Sequence, residues 1–201
     1  MYIPKPFQIT QTQALDIIEQ YPFATLCTSE PLQATHIPLQ LQRLGEKYIL
    51  KGHLAAANAH KKYLDNREVM CIFTGPHAYI SGSDYETTPA VPTWNYAAVH
   101  VYGHCNLLDK TANESVVREM LSAYEPRAEQ QQDIYEASYI EKLSKAIVSF
   151  EIAITRIEGK AKLGQNKSVA DRNKVQKRLI QSNSLGDRQM AEFSESFFTE
   201  N

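Results

Sequence analysis

Between positions 148 and 155 the chain reads Val148, Phe150, Ile152 and Ile154 in strict alternation with Ser149, Glu151, Ala153 and Thr155. A period of two places the large apolar side chains on one face and the smaller or polar ones on the other. Such a segment is a half-buried antiparallel strand, and it cannot stand alone: it needs paired neighbours and a cover for its apolar face. The rest of the sequence must therefore supply a sheet. Candidate strands are Phe23 to Ser29, Leu32 to Leu41 (Thr35, Ile37, Leu39 and Leu41 on alternate positions) and Tyr48 to His53 after the Gly45-Glu46 turn. Val69 to Phe73, Ala78 to Ser81 and Val99 to Leu108 follow, parted by Gly75-Pro76 and by a loop holding Pro89 and Pro92. These six or seven strands do not alternate with helices as βαβ units would, and no GxGxxG follows a strand. The expectation is a mainly β, antiparallel barrel with helical insertions rather than a doubly wound sheet.

The helical insertions carry their own signals. Thr10 or Thr12 can cap a helix bearing Ala14, Leu15, Ile17 and Ile18, which Pro22 ends. Alanine-rich Ala55 to Leu64 reads as a helix, as does Asn113 to Tyr124, where Val116, Val117, Met120 and Leu121 share one face before Pro126. Ile134 to Leu143 and two polar helices near the end complete the pattern. Charged residues at 22% and hydrophobic residues at 43% exclude a disordered or fibrous chain. With 201 residues, one domain over 1–201 is expected, its C-terminal segment (about 168–201) helical. No apolar run approaches the ~18 residues that span a bilayer, and MYIPKPFQIT has no apolar signal core, so the expected location is cytoplasmic, without membrane contact.

Several chemistries are excluded by motif. Cys27, Cys71 and Cys105 are far apart and form no CxxC pair, against both a disulfide framework and a zinc knuckle. His100 and His104 on a strand share a face without chelating geometry, so no metal site is expected. There is no GxSxG elbow and no Walker loop. The net charge of -2 gives no general attraction to nucleic acid.

Three stretches stand apart. Val91 to Gly103 (VPTWNYAAVHVYG) holds the only tryptophan with two tyrosines, an asparagine and a histidine. Aromatics beside an amide suit a flat ring with a hydrogen-bonding edge, and they equally suit a barrel core. In Lys51 to His60 (KGHLAAANAH) small residues let a ligand approach, and a helix start after His53 would offer free amides to a phosphate; an ordinary packed helix reads the same. From Arg156 to Arg178 there are eight basic residues against two acidic ones. That run reads as a solvated face, as a phosphate partner or as a weak DNA contact.

Taken in order, MYIPKPF, THIPL (35–39), GHLAAAN (52–58), GPHAYIS (75–81), VPTWNYAAVHVYG and KLGQNK (162–167) resemble the signature series of the PaiB-like proteins, also called FMN-binding negative transcriptional regulators. The similarity covers residues 1 to about 170. It departs at Gly82 and Asp84, where the pattern has a proline and a tryptophan, at His60, commonly a proline, and at Gly164 and Lys167, commonly serine and arginine. The resemblance implies an FMN-binding split β-barrel, related in fold to pyridoxamine-phosphate oxidases, that pairs as a homodimer with FMN at the interface. It implies a site in which Thr35, His36, Ile37 and Pro38 face the flavin and His53, Leu54, Ala55 and Asn58 lie near the phosphate or ribityl chain. Tyr79, Ile80 and Ser81 would line the ring, Trp94 and Asn95 would meet its polar edge, and Lys162, Gln165 and Asn166 would close the site. The implied function is flavin-dependent transcriptional regulation. A flavin-dependent oxidoreductase fed by a nicotinamide donor and a haem-binding or haem-degrading protein are the alternatives on the same barrel. The residues favour FMN over haem, since no histidine stands in an axial context, and no helix-turn-helix supports direct DNA recognition.

Overall fold

The computed structural model describes residues 1–131 and 133–199. Thr10 opens the first helix, α1 (Gln11–Gln20): its hydroxyl accepts from the Gln13 amide at 3.2 Å while Gln13 Oε1 accepts from the Thr10 amide at 2.8 Å. This reciprocal cap is the one a Thr-x-x-Gln sequence allows. Seven strands follow: β1 (Phe23–Ser29), β2 (Leu32–Pro38), β3 (Gln40–Leu44), β4 (Lys47–Ala55), β5 (Arg67–Ile80), β6 (Thr93–Leu107) and β7 (Ile147–Lys162). They form one sheet in the order β2-β1-β5-β6-β7-β4-β3. The β1–β2, β1–β5, β3–β4 and β4–β7 pairs are antiparallel, with Thr25 opposite both His36 and Ile72, and Gly52 opposite Phe150. Helices α2 (Asn113–Tyr124) and α3 (Ala137–Ser144) lie between β6 and β7, and α4 (Val169–Ile180) and α5 (Leu185–Thr199) follow β7.

The chain packs as two compact units interleaved in sequence, one built from residues 1–20, 74–99 and 158 onward, the other from 21–73 and 100–157. In the first, Ile18, Ile80, Ala97, Val99, Ala161, Leu179 and Met190 are buried. Its two C-terminal helices are fixed by polar ties. Arg178 forms ion pairs with Asp187 at 2.5 Å and Asp84 at 3.2 Å and donates to the Tyr79 carbonyl at 2.6 Å. The buried carboxylate of Asp171 accepts the amides of Glu86 (2.8 Å) and Thr87 (2.9 Å) and the Thr87 hydroxyl (3.0 Å). In the second unit, Leu26, Leu50, Phe73, Val101, Phe150 and Ile152 form the interior. Buried Asn113 ties α2 to β7, donating to the carbonyls of Ser144 and Ile147 and accepting from the Ser149 amide. Gly103 lies where no side chain fits: a Cβ there would stand 2.4 Å from the Ala153 carbonyl oxygen and 2.7 Å from Ile152 Cγ2.

The structure corrects four local expectations. Ala55 to Leu64 is not a helix: Ala55 ends β4, and only a 3-10 turn (Ala59–Tyr63) forms. The reason is His60, buried with its ring nitrogens bonded to the hydroxyls of Thr28 (3.0 Å) and Thr35 (2.8 Å), which outweighs the helix preference of the alanines. Val69 to Phe73 and Ala78 to Ile80 belong to one continuous strand, β5, which ends before Ser81. The β1 register ends at Ile72, so the missing N–H of Pro76 breaks no bond to β1. The segment Leu32 to Leu41 splits after Pro38 into β2 and β3, and the final alternating strand is covered on both faces at its start, since Ser149 is as buried as Phe150.

Gly103→Ala should lower unfolding stability by about 1–3 kcal/mol, because backbone rather than a movable side chain blocks the methyl. A urea midpoint equal to wild type would show that the strands part at no cost. The Thr87 amide, chiefly, with Ser168, the Thr87 hydroxyl and the Glu86 amide, holds the Asp171 carboxyl below its ordinary pKa against the opposing effect of burial. Its contribution is therefore complete above the unfolded-state value and lost as pH falls through the lower folded-state value. Thermal melts across the acid range should show a shallower acid limb for Asp171→Asn than for wild type, together with a lower Tm at pH 7; parallel profiles would remove Asp171 from this role.

Candidate functional site

Alternation along β6 sorts the aromatic motif into two faces. Asn95, Ala97 and Val99 turn inward and are buried, whereas Trp94 is 53% exposed and Tyr96 half-buried on the other side. Neighbouring β5 does the same, with Ala78 and Ile80 inside and His77 and Tyr79 outside. The Trp94 ring meets Tyr79 edge-on at 5.8 Å and lies 6.1 Å from the His77 ring. An exposed aromatic cluster of this kind, with Tyr79 itself 48% exposed, is what a flat π-system stacks on. Lys160 of β7 extends over the outer face, its ammonium 5.2 Å from the Tyr96 ring centroid and 3.2 Å from the Tyr2 carbonyl oxygen.

Beside these rings the charges are one-sided. Lys162 donates to the Thr93 hydroxyl. Burial lowers its pKa first, and the positive charges of Lys160 and Lys167 lower it further. Lys160 and Lys162, on one strand face with like charges that disfavour one another, form a site whose stability would rise when an anion enters. Glu158, the nearby carboxylate on the same strand, is occupied by the N-terminal ammonium. Aromatic faces beside a hydroxyl and converging lysines can hold a planar ring carrying a phosphate, so the residues present fit a flavin mononucleotide.

The other expected site residues are spread through both units. In the second unit Thr35 is engaged by His60, and His36 bonds the Thr25 hydroxyl at 3.0 Å and stacks on Phe23. Ile37 and Leu54 are buried in the interior, while Pro38 and Ala55 end their strands. Asn58 caps the 3-10 turn by accepting from the His60 amide at 3.0 Å. The helix N-terminus expected after His53 does not exist, which removes the phosphate role proposed for it. Among the described residues His53 Nδ1 is buried without a hydrogen-bond partner, directly across from Ser149, whose hydroxyl is likewise buried and unpartnered.

In the first unit Tyr79, Trp94 and Lys162 share the outer face, whereas Ile80 and Asn95 point inward. Trp94 and Asn95 therefore do not meet one ring edge together, a correction that the strand pleat enforces. Ser81 caps the Gly82–Asp84 turn, its amide donating to Asp84 Oδ2 at 2.8 Å, so the divergent Gly82 and Asp84 build a local capping box. Gln165 is spent on its own turn, accepting from the Leu163 amide and donating to the Ala161 carbonyl; Asn166 is exposed. Sequence reading missed Tyr96, Lys160 and Thr93. The signal was present, since Tyr96 follows Trp94 and Lys160 precedes Lys162 by the two positions that keep a strand residue on the same face.

The remaining chemistry is quiet. Cys71 and Cys105 are fully buried and burial raises both thiols, Cys105 to about 12, so neither is a thiolate near neutral pH. Among the described residues no group of histidine, cysteine and carboxylate could hold a metal ion. The basic run from Arg156 to Arg178 is not a free patch. Arg156 stacks on Tyr102, Lys167 on Tyr85 and Arg172 on Phe198, Lys160 lies over Tyr96, Lys162 donates to Thr93, Lys174 binds the Tyr85 carbonyl, and Arg178 is ion-paired; Arg156 and Lys177 are the exposed members of the run.

Comparison with known proteins agrees with this geometry. Residues 1–156 match the family described as "Putative FMN-binding domain". "Protease synthase and sporulation protein PAI 2" of Bacillus subtilis is 35% identical over 202 residues, covering 97% of each chain. A protein of Emericella nidulans is 30% identical over 184 residues, covering 72% of this chain and 73% of its own. Among solved structures, the flavocytochrome Anf3 of Azotobacter vinelandii superposes with a TM-score of 0.56 at 15% identity, covering 76% of this chain and 67% of that one. The FAD and heme binding protein of Mycobacterium smegmatis gives 0.56 at 13%, covering 76% and 71%. At such identities the structural matches speak to fold alone, and that fold is the antiparallel split β-barrel. The chain is a PaiB-like, flavin-binding member of the FMN-binding domain family.

Proposed function

We propose that the flavin is FMN and that it binds on the outer face of β5, β6 and β7 in the first unit, with a regulatory output. The observation that carries this reading is the placement of Lys160 and Lys162 on one face of β7 beside the Trp94–Tyr79–Tyr96 surface. In this arrangement Trp94 and Tyr79 bear the ring, Lys162 and the Thr93 hydroxyl take the phosphate, and Lys160 holds its position through Tyr2 and Tyr96. FMN, when bound, supplies a redox-active ring. The protein's own part is to seat that ring and neutralise the phosphate. A second copy of the chain completes the site: Trp94, Tyr79 and the 73%-exposed Val91 leave apolar surface uncovered, and closed two-fold pairing is the commonest way to bury it. The regulatory output is supported by the full-length relationship to a protein named for protease synthesis and sporulation.

Trp94 is the sole tryptophan, so its fluorescence reports directly on the site. FMN should quench it on titration. Lys162→Ala should weaken FMN by roughly ten- to a hundredfold, the worth of a charge-assisted contact, and riboflavin far less. Wild-type affinity for FMN should also fall as pH rises through the lowered pKa of Lys162, since the cation that faces the phosphate is then lost. Equal losses for both ligands would take Lys162 out of the phosphate site, and a monomer by sedimentation velocity with FMN present would take away the shared interface.

Because most of the basic run is engaged in internal contacts or assigned to the phosphate, regulation should not pass through autonomous DNA recognition. Gel shifts with the isolated protein at physiological salt should show at most weak, salt-sensitive association. Nanomolar, sequence-selective binding would instead establish a direct repressor.

A further inference from the structure

The inner face of β6 carries a feature that flavin binding does not use. Behind Asn95 lies a cavity of about 300 Å³, walled by Leu163, Val175, Leu179 and Phe198 and reached by Lys167 and Arg172. Its size is at the low end for small-molecule sites, too small for a flavin with its ribityl phosphate. Asn95, 5% exposed, forms part of its wall. Arg172 Nε is buried without a hydrogen-bond partner among the described residues. A buried donor left unmade is costly, and such groups in native proteins commonly await a ligand or water.

The charge in this cavity is also uncompensated. Lys167 and Arg172 rest against the Tyr85 ring at 4.6 Å and the Phe198 ring at 5.1 Å, and neither forms an ion pair among the described residues. Two carboxylates are near. Asp171 accepts the Glu86 and Thr87 amides and the Thr87 hydroxyl, and Glu195 lines the cavity as an exposed residue of α5. What fits is a single acceptor group on an apolar body, with the guanidinium fork and the Asn95 amide facing the acceptor and the aliphatic and aromatic wall facing the body. A phosphate without such a body would leave that wall uncovered.

We propose that this cavity is a second small-molecule site, selective for a compact organic carboxylate with an aromatic or aliphatic body, on the opposite face of β6 from the flavin. Its occupant would bridge β6 to α4 and α5, holding the C-terminal helices in place.

The probe is benzoate, with benzamide as its neutral counterpart and inorganic phosphate as the bare anion, titrated by calorimetry into the full chain. Benzoate is expected to bind and to raise the melting temperature, with benzamide and phosphate each at least tenfold weaker. Arg172→Gln should weaken benzoate at least tenfold and leave FMN quenching of Trp94 unchanged. Should Arg172→Gln fold poorly, Asn95→Leu fills the same wall and should produce the same loss. No heat and no melting shift with millimolar benzoate, or benzamide binding as well as benzoate, would overturn the proposal. So would benzoate competing with FMN, which would place both ligands in one site.

Discussion

At Gly103 the backbone of β6 lies so close to the Ala153 carbonyl and the Ile152 side chain of β7 that a single methyl group has no room. That approach depends on a strict pleat, and the pleat decides nearly everything else of interest. Once β6 holds its register, alternate residues are committed to opposite sides: Trp94 and Tyr96 outward, Asn95, Ala97 and Val99 inward. One aromatic-rich motif thus supplies two surfaces with different chemistry. The outer surface is flat, aromatic and cationic; the inner one is a small apolar pocket with a buried amide in its wall.

The lysines show how the same residue type is put to different uses by position. Lys160 and Lys162, two apart on β7, share the outer face and crowd one another's charge. Lys167, past the turn at Gly164, lies on the Tyr85 ring and reaches the cavity lining. Gly164 makes that turn with φ of +82°, a conformation where the serine commoner in the PaiB-like pattern would be strained. The C-terminal helices are held by buried or half-buried polar groups, Asp171 and Arg178, as well as by the buried side chains of Val175, Leu179 and Met190. Removing one partner of such a tie leaves the other unsatisfied, so the helices and the loop at residues 84–87 are ordered together.

Much of the fold was legible because period-two alternation is a local signal. Phe23–Ser29 and Asn113–Tyr124 carry their patterns within a few turns or residues, and both elements form where the pattern puts them. The misreadings share one cause, which is that a distant partner overrode a local preference. Alanine favours a helix at Ala55 to Leu64, but His60 satisfies Thr28 and Thr35 and pulls the segment into a short turn. Gly75-Pro76 reads as a break, but a strand with no β1 partner at that point tolerates a proline.

The amino-acid sequence by itself determined the antiparallel class, the family through its ordered motifs, and the presence of an aromatic surface and a lysine-rich stretch, since each is carried by residue identity and short spacing. Only the tertiary structure decided which of those residues share a face. It separated Trp94 from Asn95, withdrew Ile37, Leu54 and Ile80 into the interior, and engaged much of the basic run in internal contacts. It also set Lys160 beside Lys162 over Tyr96, and enclosed the cavity behind β6. Facing and burial depend on which strands and helices pack together over long sequence separations, and no local pattern encodes those partners.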